Sequence, residues 1–192
     1  MRRATTFGII VLLALAAAMT ASASWIHAKA LLAQLLLQRA WNESGRGLHT
    51  IKPWPWADIA PIARMRVPRL GKDFIVLDDD SGQALAFGPG WTPTSAIPGT
   101  RGLSVISAHR DTQFAFLRRL RRGDAIDVTA ARGTREYRVT TMQVVDSRHF
   151  RPATHGFDAL LLVTCYPFDA IVPGGPLRYV VEARAQQSLA IR

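Results

Sequence analysis

The sequence predicts an all-β barrel or sandwich preceded by a membrane-spanning helix. From Ile62 onward, short segments of β-type composition alternate with clusters of Gly, Pro and Asp, a spacing typical of barrels and sandwiches. Before them, an uncharged apolar run extends from Thr5 to Trp25, which is long enough to cross a bilayer as a helix. The 192 residues, 48% of them hydrophobic, suffice for one core and one appendage.

The first element is this apolar run and its continuation. Arg2 and Arg3 precede the run and favour a cytoplasmic N-terminus, with the rest of the chain exported. The triplet Ala21-Ser22-Ala23 also fits a signal peptidase site, and cleavage there would release a soluble protein. Helix formers continue without Gly or Pro from Met19 to Glu43, which favours one uncleaved helix. We therefore predict a membrane anchor and continuing helix over residues 1–41.

The second element is a predicted linker over residues 42–60, which is rich in Gly and Pro and has no helical or alternating periodicity. Trp54 and Trp56 flank Pro55 within it. We expect these rings to pack onto the following domain, and the membrane interface is the alternative site for them.

The third element is the predicted catalytic β domain, residues 61–186. Its β-type segments are IARMRV, DFIVLD, GLSVISA, AIDVTA, REYRVTTMQVV, ALLLVTC and LRYVVEA. Two helical pieces fit between them, a turn from Ser81 to Phe87 and the segment TQFAFLRRL. The triplet Asp78-Asp79-Asp80 has the ligand chemistry of a Ca²⁺ site, but we interpret it as a turn after DFIVLD.

The charge balance restricts the partners of the chain. Lys and Arg number 24 against 14 Asp and Glu, so the formal net charge is +10. Such an excess is typical of chains that contact nucleic acid or a phospholipid surface. Because an exported domain is predicted, we expect the membrane surface and no nucleic acid. The RRLRR cluster, Arg118 to Arg122, is interpreted as a solvated helix end.

The only cysteine, Cys165, ends the apolar run in LLLVTCYPF. One interpretation is a small apolar side chain in a core strand, because free cysteine is often buried. The other is a nucleophile at a strand end that faces a cleft, where the reactive thiolate needs a basic or cationic neighbour. An intramolecular disulfide is excluded, since the chain has no second cysteine.

His109 is the first candidate partner of that thiol. It directly follows GLSVISA, where a strand passes into a polar loop, and Asp111 or Thr112 is expected to orient its imidazole. A surface histidine at a strand end is the alternative interpretation. His149 and His155 are the other candidate bases of the β domain.

Arg178 is the second candidate partner, because it interrupts the apolar strand LRYVVEA. An arginine on a β face is costly to bury without an anionic partner. At a cleft, however, its guanidinium can donate to negative charge that develops during a reaction. An edge-strand arginine whose head reaches solvent is the alternative interpretation.

Together these motifs resemble one family. His109 in SAHRDTQFAFL, Cys165 in LLLVTCYPF and Arg178 in PGGPLRYVV occur in the order that sortases have. The KPWPWAD, HRDT and TCYPFDA motifs are most similar to the class GN sortases of Gram-negative bacteria. The resemblance extends from about Lys52 to Glu182.

The resemblance implies an eight-stranded sortase barrel with short helices that carries a cysteine transpeptidase. Cys165 would attack the C-terminal Leu-Pro-x-Thr-Gly (LPXTG)-like sorting signal of a surface protein, and Arg178 would stabilise the oxyanion or the substrate backbone. His109 would protonate the leaving amine and then accept a proton from an amine acceptor. This chemistry requires no metal or cofactor. The expected location is the inner membrane, with a single membrane pass and the catalytic domain in the periplasm.

Two positions depart from the family pattern. Leu161 stands where sortases commonly have the first Thr of Thr-Leu-x-Thr-Cys, and Ala108 stands where many have Gly before the histidine. Two alternative functions remain. A thiol endopeptidase that resolves the thioester with water would use the same residues, and a non-catalytic anchored binding domain would use none of them. The intact Cys, His and Arg set argues against the binding domain.

Overall fold

The computed structural model describes residues 19, 31–45, 49–152, 158–172 and 174–186 of the chain. The chain forms two units, Met1–Leu36 and Leu37–Arg192. Apart from Met19, the predicted membrane segment and its possible cleavage site lie outside the described residues. Within the described ranges, no helix combines the length and the hydropathy that a membrane span requires.

Eight strands form a closed barrel in the second unit. They are β1 (Pro61–Val67), β2 (Lys72–Leu77), β3 (Gly90–Trp91), β4 (Leu103–Ser107), β5 (Ala125–Ala130), β6 (Gly133–Asp146), β7 (Ala159–Cys165) and β8 (Leu177–Ala185). Neighbouring strands follow the order β1-β2-β3-β4-β7-β8-β6-β5, and β5 pairs with β1 to close the barrel. The predicted all-β class and the eight strands implied by the resemblance are confirmed.

Seven strands correspond to the seven predicted segments, and β3 is the one that the sequence pattern missed. It contains only two residues, one of which is Gly90. A Cβ atom at Gly90 would collide with the carbonyl oxygen of Asp79, so this strand requires glycine. Two residues, one without a side chain, carry no alternation that a sequence pattern could reveal.

The helices are short, apart from the helix that precedes the barrel. They are α1 (residues 31–43), α2 (Gly82–Leu85) and two 3₁₀ helices, Pro68–Leu70 and Ala115–Arg119. Ser81 caps α2 as its side chain accepts a hydrogen bond from Ala84 N at 3.3 Å. Within the segment TQFAFLRRL, Ala115–Arg119 forms the second 3₁₀ helix rather than a longer α-helix, and it buries Phe116 and Leu117 in the barrel core.

The RRLRR cluster lies at the end of that 3₁₀ helix. Its four arginines are exposed, whereas Leu120 between them is buried in the core cluster. The interpretation of this cluster as a solvated helix end is therefore confirmed.

The segment predicted as a linker packs on the barrel. Its buried apolar residues join β2 and the end of α1 in one cluster of Leu37, Trp41, Ala57, Ile59, Ile75, Leu77 and Ala84. The ring of Trp54 lies against Phe87, with 5.2 Å between the centroids, whereas Trp56 is 79% exposed. The expectation that both rings pack on the domain is right for Trp54 and wrong for Trp56.

The main core fills the barrel with alternate residues of its strands. On β1 these are Ala63, Met65 and Val67, and on β5 they are Ile126, Val128 and Ala130. Full burial of a large apolar side chain stabilises the fold by about 1.5–3 kcal/mol. This interior holds the strands in register, and the register places the candidate site where β4 and β7 end and β8 begins.

Candidate active site

Cys165 is the last residue of β7. Leu160 and Leu162 of this strand belong to the barrel core, whereas Leu161 belongs to a second apolar cluster. Both faces of β7 are therefore covered, which explains its continuous apolar sequence. Cys165 is a partly buried free thiol. Pro167 follows two residues later and has no N–H with which to extend the pairing.

Arg178 is the cross-strand neighbour of Cys165 on β8. Opposed residues of antiparallel strands share one face of the sheet, with Cβ atoms about 4.5–5.5 Å apart. Its Nη1 donates to the carbonyl oxygens of Gly175 at 2.8 Å and Leu177 at 2.9 Å. Among the described residues, Nε and Nη2 have no acceptor and no carboxylate forms an ion pair with the guanidinium. The described carboxylates therefore do not explain an arginine at this position.

His109 lies two residues beyond the end of β4, at the same edge of the barrel. Strands β4 and β7 pair in parallel, with Ser107 opposite Val163, so two further residues on each strand align His109 with Cys165. The histidine is exposed, and its carbonyl oxygen accepts a hydrogen bond from Phe114 N at 3.0 Å. The three predicted site residues therefore meet at one edge, although they come from three separate stretches of sequence.

Thr164 fixes the backbone next to His109. Its hydroxyl is buried and donates to the carbonyl oxygen of Ala108 at 2.7 Å. The expected orientation of the imidazole by Asp111 or Thr112 is not seen: the Thr112 hydroxyl bonds the side chain of Gln113, and no described side chain bonds the imidazole. The neighbouring loop residues therefore leave the imidazole accessible to a substrate.

An apolar strip leads along the outer face of the sheet to Cys165. It consists of Leu103, Val105, Ala159, Leu161, Val163 and Val180, with Val145 and Phe150 against it. Leu161, the first departure from the family pattern, is thus part of the strip and only 4% exposed. The alternation of β7 carries the strip from Leu161 through Val163 to the thiol. Leu103, Ala159, Leu161 and Val180 are at most 9% exposed, so only the partly buried members of the strip, such as Val163, offer apolar surface to an extended peptide.

An aromatic cluster lies where β7 ends, and two of its rings, Phe168 and Tyr179, pack against the barrel core. Phe168 and Tyr179 approach with centroids 5.2 Å apart, and Tyr166 stacks on Tyr179 at 6.4 Å. Burial, followed by the proximity of Tyr166, raises the pKa of Tyr179. Tyr179 is the cross-strand neighbour of the buried Thr164, so it lies on the core face of the sheet, opposite to the face that Cys165 and Arg178 share.

Asp146, an acidic residue of β6 near the candidate site, already forms an ion pair with Arg148. Asp146 is the last residue of β6, and hydrogen bonds from the side chain and backbone N–H of Arg148 hold its pKa well below the usual range. Asp146 therefore stays ionised, but its ion pair is with Arg148 and not with Arg178. His149 is exposed 3.9 Å from this carboxylate, and His155 lies outside the described residues.

The described residues contain no group of three or more His, Cys, Asp or Glu side chains that could hold a metal ion. Two of the three aspartates that could suggest calcium have structural partners instead. Asp78 accepts a hydrogen bond from Ala60 N at 2.8 Å, and Asp80 accepts one from the Thr92 hydroxyl. The interpretation of this triplet as a turn agrees with these bonds.

Arg110 is a residue near the site that the sequence did not single out. Its guanidinium reaches across to the connection between β7 and β8 and donates to Ala170 O at 2.8 Å. The acceptor is a backbone carbonyl, which every residue type has. The only signal in the sequence was therefore its position directly after His109.

The barrel and this edge define the class of protein. A closed eight-stranded barrel presents a cysteine and an arginine as cross-strand neighbours, with a histidine at the end of the adjacent parallel strand. Residues 65–186 match the sortase domain family, so the chain belongs to this family.

Individual relatives agree with this assignment. Sortase D of Bacillus subtilis is 29% identical over 119 residues, which cover 61% of this chain and 60% of the relative. The chain thus matches about three fifths of the length of that relative.

Solved structures share the fold at lower identity. Sortase A from Corynebacterium diphtheriae, as a lid mutant, superposes with a TM-score of 0.61 at 21% identity and covers 82% of this chain and 95% of its own. The pilus-related sortase C of Group B Streptococcus has a TM-score of 0.59 at 23% identity, with coverages of 83% and 91%. The Clostridium perfringens sortase D5 transpeptidase has a TM-score of 0.58 at 22% identity, with coverages of 67% and 80%.

Proposed function

We propose that this protein is a membrane-anchored cysteine transpeptidase that cleaves an LPXTG-like sorting signal and transfers the carboxyl product to an amine. The observation that supports this most is the cross-strand pairing of Cys165 with Arg178 at the strand edge that His109 shares. A nucleophile, an oxyanion donor and a proton carrier are the groups that acyl transfer from a peptide requires.

In the first step, the Cys165 thiolate attacks the carbonyl carbon of the scissile peptide bond. The negative charge moves to the carbonyl oxygen, where an N–H of Arg178 that is not bonded to Gly175 or Leu177 donates to it. The C–N bond then breaks, and protonated His109 gives its proton to the leaving amine. The product is a thioester between the substrate and the enzyme.

In the second step, an amine acceptor attacks the thioester carbon. Neutral His109 takes a proton from the incoming nitrogen, and the Cys165 thiolate leaves as the new amide forms. If water enters in place of the amine, the same steps give a hydrolase. The acceptor that reaches the thioester first therefore decides between transpeptidase and endopeptidase.

The apolar strip supports a substrate with an apolar segment before the scissile bond. The strip follows β7 to Val163, and Cys165 is the next residue of β7 on the same face. A Leu-Pro pair bound in extended conformation would place its side chains against the partly buried part of the strip at Val163 while the Thr carbonyl reaches the thiol. The substrate would be a surface protein that carries such a signal at its C-terminus.

The proposed location is the inner membrane, with the domain in the periplasm, as in the class GN sortases of Gram-negative bacteria. The apolar run from Thr5 to Trp25 after Arg2 and Arg3 supports one membrane pass. We expect the mature protein to retain Met1 through Trp25 and to fractionate with membranes. N-terminal sequencing that begins at Ser24 would contradict the anchor.

The experiment incubates the full chain, purified in detergent, with an LPXTG-type peptide and follows the protein by intact mass spectrometry. We expect an acyl-enzyme on Cys165, cleavage after Thr and, on addition of triglycine, a peptide product joined to the amine. Cys165→Ala should stay folded and abolish both the adduct and cleavage. His109→Ala should lose most of the turnover, whereas the matched variant His149→Ala should keep it.

Each contrary result has a clear meaning. Cleavage by the Cys165→Ala protein would refute the proposed mechanism. An acyl-enzyme that water resolves at the same rate with and without amine would make the protein a thiol endopeptidase. Tight peptide binding without labelling of Cys165 by a thiol-directed substrate analogue would favour the non-catalytic binding domain.

A further inference from the structure

Arg110 joins the two segments that carry the candidate site. It directly follows His109, and its Nη2 donates to Ala170 O at 2.8 Å and to Val172 O at 3.5 Å. These carbonyls lie in the connection between β7 and β8, residues 166–176, which we call the β7–β8 connection. One guanidinium thus links the chain next to the histidine to the chain between Cys165 and Arg178.

Charge pairing does not account for this contact. Asp111 and Asp169 are sequence neighbours of Arg110 and Ala170, yet no ion pair between either carboxylate and Arg110 occurs in the described structure. The Nη1 atom of Arg110 is buried and has no hydrogen-bond partner among the described atoms. A guanidinium that is partly removed from water without a carboxylate is costly, and the partners that Arg110 has are the backbone carbonyls of the β7–β8 connection.

Few other contacts hold the middle of the β7–β8 connection. Ile171 is 98% exposed and Val172 is 76% exposed, so neither side chain is anchored in a core. Gly174 and Gly175 have φ values of 107° and 85°, which only glycine adopts at little cost. Over residues 169–172, the described backbone hydrogen bonds are a turn bond from Ala170 N to Pro167 O at 3.4 Å and the two bonds from Arg110. At the two ends of the connection, Phe168 packs against the core and Ser147 N donates to Pro176 O at 2.9 Å.

The position of the β7–β8 connection matters for Arg178. The Nη1 of Arg178 donates to the carbonyl oxygen of Gly175, which belongs to the same connection. A shift of the connection therefore moves the acceptor that orients the Arg178 guanidinium. Arg110 from the β4 side and Arg178 from β8 thus both bond to this connection, and Ser147 N also holds its end through Pro176 O.

We propose that Arg110 is a positioning residue, which holds the β7–β8 connection against the end of β4 and thereby orients Arg178 for oxyanion stabilisation. This inference rests on the proposed acyl-transfer function for its effect on turnover. Arg110 itself does not contact the reacting atoms in this proposal. Its loss is expected to lower kcat more than it raises KM, because a misplaced oxyanion donor weakens the transition state and leaves the apolar strip intact.

The test compares Arg110→Gln and Arg110→Lys with wild type and with Arg132→Gln, an exposed arginine in the turn between β5 and β6. All are full chains in detergent. Backbone hydrogen exchange over residues 166–172, the alkylation rate of Cys165 by iodoacetamide, and kcat and KM for peptide cleavage are measured.

For Arg110→Gln we expect faster exchange over residues 166–172, a severalfold change in the alkylation rate and a fall in kcat of about tenfold or more. Arg110→Lys, which keeps a donor, should recover part of each effect, and Arg132→Gln should match wild type. Unchanged hydrogen exchange in Arg110→Gln would show that Arg110 does not hold the β7–β8 connection. Faster exchange with unchanged kcat would show that holding the connection does not orient Arg178. If wild type shows no cleavage, the proposed function fails, whereas exchange and alkylation still decide whether Arg110 holds the connection.

Discussion

The hydroxyl of Thr164 offers a direct test of how the barrel positions His109. Thr164 is 2% exposed and donates to the carbonyl oxygen of Ala108 at 2.7 Å. Thr164→Val keeps the shape of the side chain but removes this donor. A buried acceptor that loses its partner costs about 1–3 kcal/mol. At about 2–4 °C per kcal/mol for a domain of this size, the melting temperature should fall by roughly 2–12 °C.

Thr164→Ser is the matched variant, because it keeps the hydroxyl and removes only a buried methyl group. The loss of one methyl group costs about 0.8 kcal/mol. Both variants are therefore destabilised, but only the valine variant frees the backbone that precedes His109. A displacement of about 1 Å of a group at the site can cost on the order of a hundredfold in rate, so we expect at least a tenfold loss for valine.

The assay measures kcat/KM for an LPXTG-type peptide at a temperature where both variants are folded, together with their melting temperatures. The serine variant should keep most of the wild-type turnover while the valine variant loses it. If the two variants lose activity in proportion to their stability alone, the hydrogen bond from Thr164 supports the fold and does not position His109.

Two further predictions follow from the guanidinium groups. Arg178→Lys should lose on the order of a hundredfold in turnover with little change in melting temperature, because ammonium lacks the rigid fork of donors; near-normal turnover would remove Arg178 from the catalytic set. The Arg69 side chain lowers the pKa of the buried Asp124 through its hydrogen bonds, 2.6 Å for Nη2 to Oδ2. This stabilisation is complete above about pH 4, the unfolded pKa, and is lost as the pH falls through the lower folded pKa. Melting curves from pH 2 to 7 should therefore show a smaller acid-induced drop for Asp124→Asn than for wild type, and equal drops would contradict the pairing.

The sequence predicted the barrel strands well because their signals are local. On β5, polar and apolar residues alternate, and the structure buries Ile126 and Val128 while the residues between them are partly exposed. The local sequence pattern failed to predict residues whose positions depend on contacts with backbone that is distant in the sequence. Gly90 of β3 is required by the carbonyl oxygen of Asp79, a contact that no local pattern contains. Trp56 was expected to pack like Trp54, but only Trp54 has Phe87 within reach.

The candidate site shows why residue types were easier to predict than their arrangement. Thr164 and Ala108 are 56 residues apart in the chain and meet only because β4 and β7 pair in parallel. Parallel pairing brings the carboxyl ends of both strands to one edge, and the antiparallel β8 begins at that edge. The strand directions therefore place a residue after β4, the last residue of β7 and the start of β8 side by side. A sequence shows that His109, Cys165 and Arg178 each lie at a strand end, but it does not show which strands are neighbours. The contact of Arg110 is harder still to predict from the sequence, because its acceptors are main-chain carbonyls. The positions of these carbonyls depend on the fold and not on the residue types that carry them.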